Sequence, residues 1–298
     1  MGLSIGYFAD GPWSHKAFEK LINDNDITIR FVCVRFDTSD ETLKEYCEKY
    51  DINYLKDKNV NSKEFIQKIS KYKCDLFVSM SFNQIFKKEI INLTKYKIIN
   101  CHAGKLPFYR GRNILNWALI NNEKEFGITV HYIDKGIDTG DIILQELHPI
   151  TDKDDYSTLL LKAYSECAEI LYKAISLFKN GPVKGKKQQD IHPTGFYCTQ
   201  RKNGDEIVDW SDNSREIFDF IRAICHPGPM ARTFVNGREV KINKSELVCQ
   251  ADAYKCITGA VLNKDKTGVL VKTGDSFIKI TEYISKYQLK IGDRFEVK

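Results

Sequence analysis

Residues 100–113 read NCHAGKLPFYRGRN and residues 127–141 read GITVHYIDKGIDTGD, with the helix-patterned ILNWALINN between them. If residues 98–102 finish a strand, Asn100 and His102 are two positions apart and project from one face, with Cys101 turned to the other. In an open α/β sheet the carboxyl end of a strand is where ligands bind, so an amide and an imidazole stand at the expected place. Asp138 follows the strand-like residues 127–132 in a turn-rich loop, IDKGIDTGD, that could fold back to set its carboxylate beside His102.

Asp, His and Asn together suit acyl transfer to an amine. The Asp would hold the imidazole in one tautomer and raise its pKa, and His102 would take the amine proton. The Asn100 amide and protonated His102 would stabilise the tetrahedral oxyanion, with no covalent intermediate.

Around this stretch, short apolar runs at 3–8, 27–36, 76–79, 97–100, 127–132 and 142–147 alternate with helical patterns at 13–22, 42–50, 62–72, 113–121 and 157–178. That rhythm predicts an α/β domain, Rossmann-like, with helices on both faces of its sheet. From 180 to 195, NGPVKGKKQQDIHPTG loses apolar periodicity and reads as a linker. Beyond it come one helix at 214–225 and strand-like pieces at 233–235, 239–242, 260–262, 268–272 and 276–283, broken by NG, DKTG and TGD turns. A small β-rich, barrel-like domain is expected there. The division is thus residues 1–180, a linker at 181–200, and residues 201–298.

The 298 residues carry 45 Lys plus Arg against 40 Asp plus Glu, a net charge of +5. That balance is too even for a dedicated nucleic-acid or membrane-surface binder. No stretch has the roughly 18 apolar residues that cross a bilayer, and Met1 leads directly into a strand pattern, so a cytoplasmic protein is expected. Nine scattered cysteines without a C-x-x-C pair argue against a disulfide framework and a structural zinc site. No metal is expected.

The N-x-H of Asn100 and His102, the LPxYRG of Leu106, Pro107, Tyr109, Arg110 and Gly111, then GITVH and IDKGIDTGD, resemble the 10-formyltetrahydrofolate-dependent formyltransferases. The spacing from Asn100 to Asp138 matches that family's catalytic Asn, His and Asp. The resemblance is dense over about residues 75 to 150, and the domain order extends it over most of the chain. It implies a folate co-substrate, 10-formyltetrahydrofolate, in a cleft between residues 80–86 (MSFNQIF) and the YIDKGID loop. Ser81, Phe82, Ile85, Asp134 and Asp138 become candidate cofactor contacts, with Phe82 and Ile85 sandwiching the pterin.

Family members formylate initiator methionyl-tRNA, glycinamide ribonucleotide or nucleotide-linked amino sugars. The tRNA enzymes carry a long basic insertion after the second strand. Here that region is RFDTSDETLKEYCEKYDI, short and acidic, and a polyanion needs several phosphate contacts. The ribonucleotide enzymes are usually single-domain chains. GKLPFYRGRNILNW resembles the sugar-nucleotide enzymes, whereas the tRNA type usually has G-S-L-L-P there. The expected acceptor is therefore a nucleotide-linked amino-deoxysugar, destined for a bacterial surface glycan such as lipopolysaccharide, and the expected assembly a homodimer.

Lys105, Tyr109, Arg110 and Arg112 are the candidate substrate residues. The cations precede a helix starting near Asn113 and could share a diphosphate with its N-terminus. The rivals are a methionyl-tRNA formyltransferase, a 10-formyltetrahydrofolate hydrolase and a non-catalytic nucleotide-binding module. A dinucleotide-dependent dehydrogenase is disfavoured, because the first strand leads into YFADGPWSH rather than G-x-G-x-x-G.

Overall fold

A computed structural model describes residues 2–296. The elements run β1 (Leu3–Ala9), α1 (Pro12–Ile22), β2 (Ile27–Val34), α2 (Thr42–Lys49), β3 (Asn53–Lys56), α3 (Lys63–Ser70), β4 (Leu76–Met80), α4 (Lys88–Ile91) and β5 (Ile98–His102). β6 (Arg110–Gly111), α5 (Ile114–Ile120), β7 (Glu125–Tyr132), β8 (Ile142–Pro149), α6 (Tyr156–Leu177) and β9 (Tyr197–Cys198) follow. The chain closes with α7 (Ser214–Ile224), β10 (Ala231–Val235), β11 (Arg238–Leu247), β12 (Val261–Asp265), β13 (Gly268–Lys272) and β14 (Phe277–Ser285).

Two compact units result. The first takes the chain up to Arg112, Phe126–His148 and Leu161–Cys198; the second takes Asn113–Glu125, Pro149–Leu160 and the chain from Thr199 on. The stretch expected to be a linker is therefore ordered into the first unit up to Cys198. Lys186 bridges Ile142 through paired backbone bonds of 2.8 Å, Gln188 is buried, and β9 pairs in parallel with β6. Short polar segments of this kind are held by contacts that leave no periodicity in the sequence.

The first unit is built on a seven-stranded sheet of order β3-β2-β1-β4-β5-β7-β8. β1 pairs in parallel with β2 and β4, and β4 with β5, while β7 runs antiparallel to β5. The strand order reverses beside β1, so the crevice for a ligand lies at the carboxyl ends of β1, β4 and β5. β1 is buried at every position, as expected of a strand covered on both faces. Phe8, fully buried, meets Phe31, Phe77, Phe82 and Phe86 edge-on at centroid distances of 5.1 to 5.5 Å. Each such ring contributes roughly 1.5–3 kcal/mol when taken fully from water.

The second unit holds an antiparallel five-stranded sheet of order β10-β11-β14-β13-β12. Trp210 is fully buried there, donates Nε1–H to Thr233 Oγ1 at 2.9 Å and stacks on Phe295. α7 opens on a capping box in which Asn213 and Glu216 satisfy each other's amides. All nine cysteines are free thiols. Among the described residues no helix is long and apolar enough to cross a membrane.

Candidate active site

β5 ends at His102, so its alternation sends Asn100 and His102 to the same face at the carboxyl edge. β7 pairs with it so that His131 stands opposite Asn100 and Thr129 opposite His102. The loop after β7 turns back, with Asp138 in the left-handed region at φ 54°. Its Oδ2 reaches 3.6 Å from His102 Nδ1, and its Oδ1 lies 3.5 Å from His131 Nε2. The backbone N–H of Gly111 donates to Oδ2 at 2.9 Å. The structure thus brings Asn100, His102 and Asp138 into one cluster and adds His131 from the GITVH stretch.

Tautomers follow from partners that can only accept. Tyr109 O lies 2.7 Å from His102 Nε2, so Nε2 carries a hydrogen and the neutral ring keeps its lone pair on Nδ1, facing Asp138. The expectation that Asp138 sets this tautomer is corrected: a backbone carbonyl sets it. His131 Nδ1 likewise donates to Tyr132 O at 2.7 Å, leaving Nε2 to accept from Asn100 Nδ2 at 3.3 Å. The second hydrogen of the Asn100 amide has no partner among the described residues and is available to a carbonyl oxygen.

Burial lowers the His102 pKa below 6.5, and this outweighs the raising effects of the Asp138 charge and the bond to Tyr109 O. Asp138 thus raises the value as expected of it, but burial sets the net direction. Burial would raise Asp138, but His102 and His131, which are protonated in the acid range where a carboxyl titrates, and the Gly111 N–H hold its carboxyl well below the usual carboxylate range. At neutral pH the pair is an ionised carboxylate beside a neutral imidazole, which is the state that can accept a proton at Nδ1.

Gly104 lies against this arrangement. A Cβ at that position would sit 2.4 Å from both His102 Nε2 and Tyr109 O, so only glycine leaves that bond intact. Thr129 donates to Gly104 O at 2.6 Å and accepts from Gln145 Nε2 at 2.8 Å, fixing the loop from the sheet side.

A cleft of about 440 Å³ runs between residues 85–92 and the loop at 133–135, with Ile85, Phe86, Ile91 and Ile133 as its apolar walls. Lys87, Lys88, Lys97, Asp134 and Lys135 complete its lining. It touches the two segments expected to hold a folate at residues 85–86 and 133–135, and Lys97 and Ile133 place this part of it beside the start of β5, whereas Asn100, His102 and Asp138 do not line it. Of the expected sandwich, Ile85 lines the cleft at 68% exposure, whereas Phe82 turns onto Phe8 and stacks on Phe86. Ser81 is occupied by Arg35, which donates to its carbonyl at 2.7 Å and to its hydroxyl at 3.0 Å. Asp134 Oδ1 accepts from Gly136 N at 3.0 Å and Thr139 Oγ1 at 2.5 Å, closing the turn.

The expected diphosphate group is not assembled as such. Tyr109 is buried, with its ring against Phe196 and its carbonyl on His102. Arg110 donates from Nε and Nη2 to Gln188 Oε1 at 3.1 and 2.7 Å. Lys105 is half-buried, while Arg112 is exposed and its N–H donates to Cys198 O at 3.3 Å. The helix beyond them, α5, has seven residues. Lys184, Lys186 and Lys187 are exposed and line a separate cavity of about 1030 Å³ with Lys95 and Lys97. Among the described residues Glu146, His148 and Glu166 have ligand atoms within 4.8 Å of one another, and Lys173 already pairs with Glu146 at 2.9 Å.

Residues 18–175 match the family model described as formyl transferase, and residues 201–293 match the formyl transferase C-terminal domain. The chain is 30% identical to the methionyl-tRNA formyltransferase of Halothermothrix orenii over 98% of its own length and 99% of that protein's. It is 35% identical to that of Fusobacterium nucleatum over 80% and 76% of the two chains. In fold it is similar to WlaRD, a sugar 3N-formyl transferase solved with dTDP and 5-N-formyl-THF, at TM-score 0.72 and 23% identity, covering 96% of this chain and 100% of that one. It is also similar to the N-formyltransferase from Helicobacter canadensis in complex with folinic acid and dTDP-3-aminofucose, at TM-score 0.68 and 24% identity, covering 95% and 100%.

Proposed function

Because the chain belongs to the formyl transferase family, we propose that it moves a formyl group from 10-formyltetrahydrofolate to the primary amine of a nucleotide-linked amino sugar. The convergence of Asn100, His102 and Asp138 supports the chemistry. A folate reaching this cluster, with Ile85, Phe86 and Ile133 available as apolar walls nearby, would supply the electrophilic carbon and the departing nitrogen. His102 Nδ1 takes a proton from the incoming amine and returns one to the nitrogen that leaves. Asp138 stabilises the imidazolium formed in between, and the free Asn100 N–H meets the formyl oxygen as negative charge gathers there.

The acceptor class rests on residues 35–52, which follow β2 at the carboxyl edge and carry six acidic against three basic side chains. A tRNA phosphate backbone would be repelled by that segment, whereas a single sugar nucleotide needs only a local contact. Its product would enter a surface glycan, made in the cytoplasm by a homodimer. The names of the sequence relatives favour a second reading, formylation of methionyl-tRNA.

Mass spectrometry of a panel of amino-sugar nucleotides incubated with enzyme and 10-formyltetrahydrofolate separates the two. A formyl mass gain on one nucleotide sugar is expected. No gain on any of them, with formylation of initiator methionyl-tRNA that weakens steeply with salt, would establish the second reading instead.

A further inference from the structure

We propose that Gln188 and Arg110 are positioning residues that hold Asp138 where its carboxylate can serve His102; this rests on the reading of Asp138 as the partner of the proton acceptor. Asp138 lies at φ 54°, in the left-handed region that aspartate tolerates better than most residues, and its neighbours hold it there. Two contacts hold it. The Gly111 N–H fixes the carboxylate at 2.9 Å, and Gln188 fixes the main chain.

Gln188 is 4% exposed, and its Nε2 donates to Asp138 O and Gly140 O, both at 2.8 Å. Its Oε1 accepts both bonds from Arg110. Two donors and two lone pairs are therefore all used. The amide can stand only one way round, since carbonyls only accept and a guanidinium only donates. Arg110 is itself held by the Tyr197 ring, 5.5 Å from its guanidinium carbon, and by its N–H to Phe196 O at 3.2 Å. Its neighbour Gly111 supplies the amide on the Asp138 carboxylate, so β6 grips the catalytic loop at both the side chain and the backbone. Gly140 fits this clamp as a glycine: a Cβ there would meet Tyr132 O at 1.8 Å. Arg110, expected to bind substrate phosphate, is thus committed to the loop.

The test compares Gln188→Leu, Gln188→Glu, Asp138→Asn and the double variant Gln188→Leu/Asp138→Asn in steady-state formyl transfer across pH. Gln188→Glu keeps the length and the Arg110 partner but offers acceptors to two carbonyls, so it decides the matter if the leucine variant does not fold. Either single change at Gln188 should lower kcat by about 10²-fold, with KM for both substrates within about threefold, the scale expected when a reacting group is misplaced by about 1 Å. The acid limb of kcat/KM should move to lower pH, because His102 loses the nearby negative charge. In the Asp138→Asn background the leucine change should cost almost nothing more. Fully additive losses, a rise in acceptor KM at unchanged kcat, or a fully active, folded Gln188→Glu enzyme would each overturn the proposal while leaving Asp138 in its role. An Asp138→Asn enzyme as active as the parent would instead remove the underlying reading and this one with it.

Discussion

Tyr109 places its carbonyl oxygen 2.7 Å from His102 Nε2, and this contact decides which nitrogen of the ring can act as a base. Tyr109 is seven residues downstream, at φ 54°, in the loop that leaves β5. The backbone therefore bends back over the side chain it has just passed. With Nε2–H spent on a carbonyl, Nδ1 is the basic atom, and it looks toward a carboxylate that stays ionised.

His102→Ala should lower kcat by roughly 10²–10⁴-fold, the usual worth of a positioned acid–base group. His102→Gln should do the same, since its amide can keep the bond to Tyr109 O but offers no basic nitrogen. Single-turnover formyl transfer measured on folded protein checks this. Parental rates in either variant would remove His102 from the chemistry.

Gly104→Ala tests the anchor rather than the base. Its new methyl would stand 2.4 Å from both ends of the His102–Tyr109 bond, and neither the ring nor the carbonyl can yield without opening it. A shift of about 1 Å in a reacting group costs on the order of 10²-fold in rate. Circular dichroism and the melting temperature should change far less than kcat; a fully active alanine variant would mean that the loop tolerates another path.

Phe82 and Ile85 separate structure from binding. Phe82 packs on Phe8 and Phe86, so Phe82→Ala should destabilise the first unit by about 2–4 kcal/mol, somewhat below the cost of emptying a fully buried site. Ile85 lies 68% exposed on the cleft wall, so Ile85→Ala should leave unfolding unchanged and raise KM for 10-formyltetrahydrofolate several-fold. Urea unfolding and cofactor titration measure the two quantities separately. The reverse pattern would move the pterin contact to Phe82.

Asn100 and His102 were legible because strand parity and the carboxyl-edge rule are local properties of IINCH. His131 was not, because its place opposite Asn100 depends on the antiparallel register of β5 and β7, which no short window encodes. Gln188 sits in a segment rich in Gly, Pro and Lys that carries no periodicity, and its partners are 48 to 78 residues away. β3 was missed for a simpler reason: NYLK is four residues long and buries only Leu55, so neither alternation nor an apolar run marks it. Arg110 allows two readings from sequence, a phosphate ligand or an organiser of the loop. Its position before a helix start suggests the first, and the buried glutamine oxygen that holds it favours the second.

The pH dependence follows from the same site. Burial disfavours the imidazolium of His102 more than Asp138 favours it, so its pKa lies below 6.5. The enzyme should therefore be fully active through neutral pH, with the acid limb of kcat/KM below 6.5, since that profile reports the free enzyme. Asp138→Asn removes a raising influence, so in its residual activity the limb should move further down. Stability obeys the matching sign: above pH 6.5 His102 is neutral folded or unfolded and contributes no slope. Below it the unfolded chain takes the proton first, so stability falls with pH. Asp138 acts lower, its contribution being present above about 3.9 and lost only as pH drops beneath that unfolded value. Melting temperatures between pH 7.5 and 5 should therefore fall less in His102→Gln than in the parent. An equal or steeper fall, or an acid limb above 6.5, would show that the charge of Asp138 rather than burial governs the ring.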